Sequence, residues 1–276
     1  MTQLPEVRDE LVELGGIRFH YRDWANPGAP ALLLLHGFTG HARSWDGFAA
    51  ALQPDYRVLA LDQRGHGESG WTDDYSRDAM VGDVDAFAGA LKLRRFALLG
   101  LSMGGFNAYH YAATEPAEVE RLVIVDIGPA IAAVGSTRIM TGVAAGDVFE
   151  SPEQALAQMR AGNSRAPEAA LRHRCLNNLM LREDGRWTWR YDRALRQPGR
   201  LRDDPSVGWG LLPKIACPTL LLRGEESDVL AADTAARMVR EIRGCEFVEV
   251  AGSGHSVPLD RPDGFLEAVR PFLLRR

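Results

Sequence analysis

Apolar positions in this chain cluster in short unbroken runs, with longer amphipathic stretches between them. Ala31 to Leu35, Val58 to Leu61, Phe96 to Leu101, Leu122 to Val125, Thr219 to Leu222 and Phe247 to Val250 contain too few polar positions for a sheet with one wet face. Such runs predict six parallel strands covered on both sides. Ahead of them, Leu11 to Leu14 and Ile17 to Trp24 are joined at Gly15-Gly16 and predict an opening antiparallel hairpin. Helical spacing over Ser44 to Leu52, Arg77 to Leu91, Met103 to Thr114, Ala232 to Ile242 and Arg261 to Leu274 fills most of the intervals. Strands alternating with helices define an α/β class with a mostly parallel, eight-stranded sheet.

One interval does not fit a simple crossover. Between the runs ending at Val125 and beginning at Thr219, the stretch from Pro129 to Pro213 is too long to be an unstructured loop. Helical patterns at Pro152 to Arg160 and Pro167 to Leu181 predict a helical cap inserted after the sixth strand, lying over the strand ends. The expected division is a first core part over 1–128, the cap over 129–213 and a second core part over 214–276.

Composition narrows the partners. The 276 residues are 46% hydrophobic and 25% charged, as in ordinary globular domains, and the net charge of -5 argues against nucleic acid. No run approaches the ~20 apolar residues of a membrane span, and the first residues lack the apolar core of a signal peptide, so a cytoplasmic location is expected. Cys175, Cys217 and Cys245 are odd in number, widely spaced and outside any metal-ligand pattern, which predicts free thiols.

The chemistry begins where the run Phe96 to Leu101 enters Gly100-Leu101-Ser102-Met103-Gly104-Gly105 and then a helix. A serine on so sharp a strand-to-helix turn needs nearly side-chain-free neighbours two positions away, and Gly100 and Gly104 supply them. The Met103 N–H then sits at a helix start, suited to stabilising an oxyanion. A hydroxyl near neutral pH needs a base. His255, in Gly252-Ser253-Gly254-His255-Ser256, follows the last strand and precedes the final helix, at the same sheet edge as Ser102. His36, in His36-Gly37-Phe38, reads instead as a backbone-bonding residue that points the Phe38 N–H into the site as a second oxyanion donor. His66, in the polar turn Asp62 to Ser69, reads as structural; His20, His41, His110 and His173 show no partner pattern.

Taken together, His36-Gly37-Phe38, the Asp62 to Ser69 loop, Gly100 to Gly104 and Gly254-His255 resemble the α/β-hydrolase family over nearly the whole chain. The resemblance implies a Ser-His-acid hydrolase with no metal or organic cofactor. It also implies two positions for the acid. The common one, three residues after Gly224, holds Ser227, with Asp228 one place later. Relatives with a serine there place the acid after the preceding strand, which here is Asp126, 24 positions beyond Ser102. Asp126 is favoured and Asp228 is the alternative; either could fix the tautomer of His255.

Substrate chemistry is less determined. Between Ser151 and Asp204 eleven arginines face seven acidic residues, so one or two of Arg160, Arg165, Arg172, Arg174, Arg186 and Arg190 could bind a substrate carboxylate, against the rival reading of solvated helix faces. Phe38, Met103 and Trp187 are candidate pocket-lining side chains, with core packing the rival role for Trp187, Trp189, Trp209 and Phe106. The expected activity is hydrolysis of a small carboxylic ester or lactone. Alternatives are C–C bond hydrolysis, small carboxylated amides, perhydrolysis, or a non-catalytic binding protein on the same fold.

Overall fold

The computed structural model describes residues 6–115, 117–197 and 204–275. Its elements in chain order begin with β1 (Arg8–Leu14), β2 (Ile17–Trp24), β3 (Ala31–Leu35), α1 (Asp46–Leu52), β4 (Arg57–Leu61), α2 (Arg77–Ala90), β5 (Phe96–Leu101), α3 (Met103–Thr114) and β6 (Val119–Val125). An insertion follows, containing α4 (Ala133–Ala144), β7 (Val148–Phe149), α5 (Pro152–Gly162), α6 (Glu168–Asn177), β8 (Leu179–Leu181), β9 (Trp187–Trp189) and α7 (Pro205–Leu211). The chain then returns through β10 (Thr219–Gly224), α8 (Ala232–Glu241), β11 (Cys245–Val250), α9 (Val257–Asp260) and α10 (Pro262–Leu273).

Eight strands form one sheet in the order β1-β2-β4-β3-β5-β6-β10-β11. β1 pairs antiparallel with β2, and β2 with β4; the remaining pairings are parallel, as the unbroken apolar runs require. Because side chains alternate across a strand, Leu33 and Leu35 enter one core and Leu32 and Leu34 the other. The first core packs Phe87 of α2, Phe106 and Tyr109 of α3 and Met238 of α8 against the sheet. The second packs Leu52 of α1 and Phe265, Val269 and Phe272 of α10. Helix α3 is buried along nearly its whole length, which fixes the position of its first residue firmly.

The insertion departs from the all-helical expectation. β7, β9 and β8 form a separate antiparallel sheet, so Trp187 and Trp189 lie on a strand. The helix expected over Pro167 to Leu181 stops at Asn177, because the Asn178 carbonyl accepts the Arg190 N–H at 2.7 Å and its side-chain amide donates to the Thr39 carbonyl at 2.9 Å. Leu179 to Leu181 are thereby turned into β8. A third, smaller core of Phe149, Leu156, Leu171, Cys175, Leu179 and Trp189 holds these pieces together. All three cysteines are free thiols. No helix among the described residues is long and apolar enough to cross a membrane.

Candidate active site

Ser102 stands between β5 and α3 in left-handed backbone geometry, φ 52° and ψ −117°. Only a tight local fit sustains that conformation in a non-glycine residue. Gly100 and Gly104 supply the fit: a Cβ on Gly100 would lie 2.1 Å from the Gly104 carbonyl oxygen, and one on Gly104 would lie 2.3 Å from that of Leu35. One strand over, Asp126 repeats the arrangement just past β6, with φ 51°. Each residue donates its N–H to the next strand, Ser102 to Val125 O at 3.0 Å and Asp126 to Leu222 O at 2.8 Å. Both side chains are therefore raised at the same sheet edge.

His255 comes from the loop after β11. That loop is pinned to the end of β10, since a Cβ on Gly224 would meet the Gly254 carbonyl oxygen at 2.1 Å, and the Gly254 N–H donates to Asp260 Oδ2 at 2.9 Å. His255 Nε2 lies 2.9 Å from Ser102 Oγ, and Nδ1 lies 2.8 Å from Asp126 Oδ2. The tautomer that satisfies both contacts carries its proton on Nδ1, donates it to Asp126 and leaves Nε2 to accept the Ser102 O–H. Asp126 is fully buried, and it also accepts the Gly224 N–H at 2.8 Å and the Ser227 O–H at 2.5 Å. Ser227, read from the sequence only as the occupant of an empty acid slot, thus holds the carboxylate that replaces it. Asp228 is placed differently: its two oxygens accept a fork from Arg138 at 2.5 and 2.8 Å.

The loop after β3 is built from buried polar contacts. His36 Nδ1 donates to the Gly37 carbonyl at 2.9 Å, and its Nε2 accepts the Gln63 N–H at 3.0 Å. Burial lowers the His36 pKa to about 4, which keeps the ring in the neutral form those two bonds require. Gln63 in turn donates to His36 O at 2.6 Å and accepts the Asn107 amide at 2.5 Å. His66 is buried with Nδ1 donating to Arg64 O at 2.9 Å, and its ring lies 5.9 Å from Phe38 and 6.1 Å from Tyr191. His20, which shows no partner pattern along the chain, has its Nδ1 2.7 Å from Asp62 Oδ2.

A cavity of about 390 Å³ opens over Ser102 and His255, walled on the core side by Phe38 and on the insertion side by Arg138, Arg174, Asn178, Trp189 and Tyr191. Its size suits a small molecule. Of the candidate lining side chains, Phe38 reaches this cavity. Met103 packs its side chain with Tyr75, Met80 and Leu195 instead, and Trp187 packs against the third core. Trp209 lies beneath the Arg237 guanidinium, 3.7 Å from its ring centre. Tyr191 and Asn178 carry no sequence signal, because the turns that aim them are set by the small sheet.

The fold points to a hydrolase class, and comparison with known proteins agrees. A family model described as the Alpha/beta hydrolase family matches residues 32–268, and the chain belongs to that family. It is 30% identical over 258 residues to the 3-hydroxybutyrate-oligomer hydrolase of Cupriavidus necator, covering 87% of each chain. It is 32% identical over 265 residues to the N-formylmaleamate deformylase of Pseudomonas putida, covering 95% of each. A solved structure of E-2-(acetamidomethylene)succinate hydrolase superposes with a TM-score of 0.89 at 25% identity, over 97% of this chain and 99% of that one. The protein is an enzyme, a hydrolase of the α/β fold.

Proposed function

We propose that this enzyme is a serine hydrolase of small carboxylic esters that works through an acyl-enzyme, with Ser102 as nucleophile, His255 as base and Asp126 as its orienting acid. The observation that carries this reading is the continuous line of contacts from Ser102 Oγ to His255 Nε2 and from Nδ1 to Asp126, at 2.9 and 2.8 Å. As Oγ bonds to the substrate carbonyl carbon, its proton passes to Nε2. The carbonyl oxygen, now negative, is held by the N–H groups of Met103 and Phe38, each worth about 3 kcal/mol of barrier. Collapse breaks the bond to the leaving alkoxide, which takes the proton from Nε2. Water then attacks the acyl carbon, gives a proton to His255 and releases the acid as Oγ is reprotonated. The insertion over 129–213 is the cap that shapes the acyl pocket.

A second reading, scission of a small amide, is favoured by two relatives whose names describe N-formylmaleamate deformylation and acetamidomethylenesuccinate hydrolysis. Both readings use the same acyl-enzyme. Labelling with a fluorophosphonate should modify the wild type at one site and fail with Ser102→Ala, and para-nitrophenyl butyrate turnover should fall by about 10⁴-fold or more. Retained turnover in Ser102→Ala overturns the serine mechanism.

A further inference from the structure

The excess of arginine in the insertion raises a question of which cations are already neutralised. Arg160 faces Glu168, Arg165 faces Glu226, Arg172 lies 3.8 Å from Glu153, Arg186 2.8 Å from Asp184 and Arg190 3.8 Å from Glu68. Arg174 differs from these five. Among the described residues no carboxylate pairs with it, and Asp260 is the one acidic group that attracts it from farther away. The oxygens of Asp260 are occupied by the Gly254 N–H and the Asn163 amide, at 2.9 and 2.6 Å. The Arg174 Nε is buried without an acceptor. The side chain as a whole is half-buried; burial pushes its pKa below the ordinary guanidinium range, against the pull of Asp260, yet the guanidinium stays cationic.

A buried cationic donor with no acceptor destabilises a fold unless something fills the gap. Arg174 sits in the last turn of α6, where its own carbonyl accepts from His41 Nε2 at 3.1 Å, and its side chain lines the cavity that holds Ser102 and His255. No acidic side chain among the described residues lines that cavity. The other arginine in its wall, Arg138, is held in a fork by Asp228. Arg174 also borders an adjoining cavity that shares His255 and is walled by Glu226, Asp228 and Asp260, but those carboxylates are engaged by Arg165, by Arg138 and by the Gly254 N–H and Asn163 amide. The one unneutralised guanidinium thus belongs to the wall beside the nucleophile, and a planar, two-oxygen anion matches its geometry.

We propose that Arg174 is the specificity-determining residue of the Ser102 cavity and anchors a substrate carboxylate, so that the preferred substrates are small acyl compounds bearing a carboxylate. This rests on the reading of Ser102 as nucleophile. The anchor acts by holding the acyl carbon against Oγ through a charged pair at the far end of the substrate, and the bonds made and broken at Ser102 are unchanged.

Two substrate pairs test it. In the first, para-nitrophenyl butyrate is compared with the mono-para-nitrophenyl ester of succinate, which replaces the terminal methyl by a carboxylate. In the second, 4-methylphenyl acetate is compared with 4-acetoxybenzoate, which carries the charge on the leaving group. The wild type should prefer the carboxylated member of at least one pair in kcat/KM, and Arg174→Met should lower that preference ratio by about tenfold to a hundredfold. Arg174→Lys, which keeps the charge but not the fork, should restore part of the ratio; a purely structural role would lower both members alike. Should the methionine variant fail to fold, Arg174→Gln carries the same comparison. In the wild type itself, succinate should slow fluorophosphonate labelling where butanediol does not. Neutral esters turned over through Ser102 with no preference in either pair, or a preference that survives Arg174→Met, overturns the anchor alone. Turnover that survives Ser102→Ala overturns the serine mechanism beneath it.

Discussion

His20 and His255 both set Nδ1 against a buried aspartate, His20 at 2.7 Å from Asp62 and His255 at 2.8 Å from Asp126. The difference lies on the opposite ring nitrogen. At His20, Nε2 meets a second carboxylate, Asp9, at 3.0 Å, inside a closed network that also includes Arg22. Burial opposes charge on that ring, but the hydrogen bonds to Asp62 and Asp9 and the charges of Asp62 and Glu68 outweigh it and raise its pKa. The same pairing helps lower Asp62 to about 2 despite its burial. At His255, Nε2 meets a neutral hydroxyl at the wall of a cavity. A histidine between two carboxylates is favoured in its charged form and ties β1 to the Asp62 loop. One between a carboxylate and an alcohol is able to move a proton.

The sharpest way to break this comparison is to remove each ring. His255→Ala should reduce kcat by about 10⁴-fold or more while leaving the unfolding midpoint nearly unchanged. His20→Ala should leave kcat within a few-fold and cost about 2 kcal/mol of stability, because it takes one partner from each of two carboxylates, Asp62 keeping the N–H groups of Ala42 and Glu68 and Asp9 keeping Arg22 and Arg43. Denaturant unfolding and ester kinetics on both variants check the crossing of effects. Next come the acids: Asp126→Asn should lower kcat by about 10⁴-fold, whereas Asp228→Asn, which releases Arg138, should lower it less than about tenfold.

A further effect is expected from pH. His36 and His41 are lowered to about 4 and His66 to about 3, in each case chiefly by burial, from an ordinary value of 6.5. In this range the unfolded chain binds protons that the folded one refuses. Their contribution to stability is therefore fully present above 6.5 and is lost as pH falls through the folded values. Each such histidine steepens the loss by about 1.4 kcal/mol per pH unit within that window. His20 has the opposite sign: with a raised pKa, its contribution is present below 6.5 and lost as pH rises through the folded value. Unfolding midpoints measured across both windows, with His20→Gln abolishing the alkaline loss alone, separate the two. The smallest effect is at Ser227→Ala, which deprives Asp126 of one donor and should lower kcat by about tenfold or less.

The eight-stranded sheet was legible because its strands are unbroken apolar runs bounded by turn residues, and Ile17–Trp24 and Met103–Thr114 have the expected limits. The small second sheet was not, because strands of two and three residues are too short to show a period. Helix α4 was missed for a different reason: Ala-Val-Gly-Ser-Thr at its start mixes small and β-branched residues that carry little helical preference. In the site, Ser102 and His255 could be named from glycines that leave room for a turn. The partner of His20 could not, since it depends on a contact between residues 42 positions apart. Likewise, sequence supplied six arginines of equal standing, and only the positions of the surrounding acids distinguish Arg174.

The left-handed geometry shared by Ser102 and Asp126 has a consequence for how this chain would change under relaxed selection. A glycine at either corner relieves the main chain, so Ser102→Gly should raise unfolding free energy by about 1 kcal/mol while abolishing turnover. Drift toward a sturdier protein and drift toward an inert one would then run through the same codons.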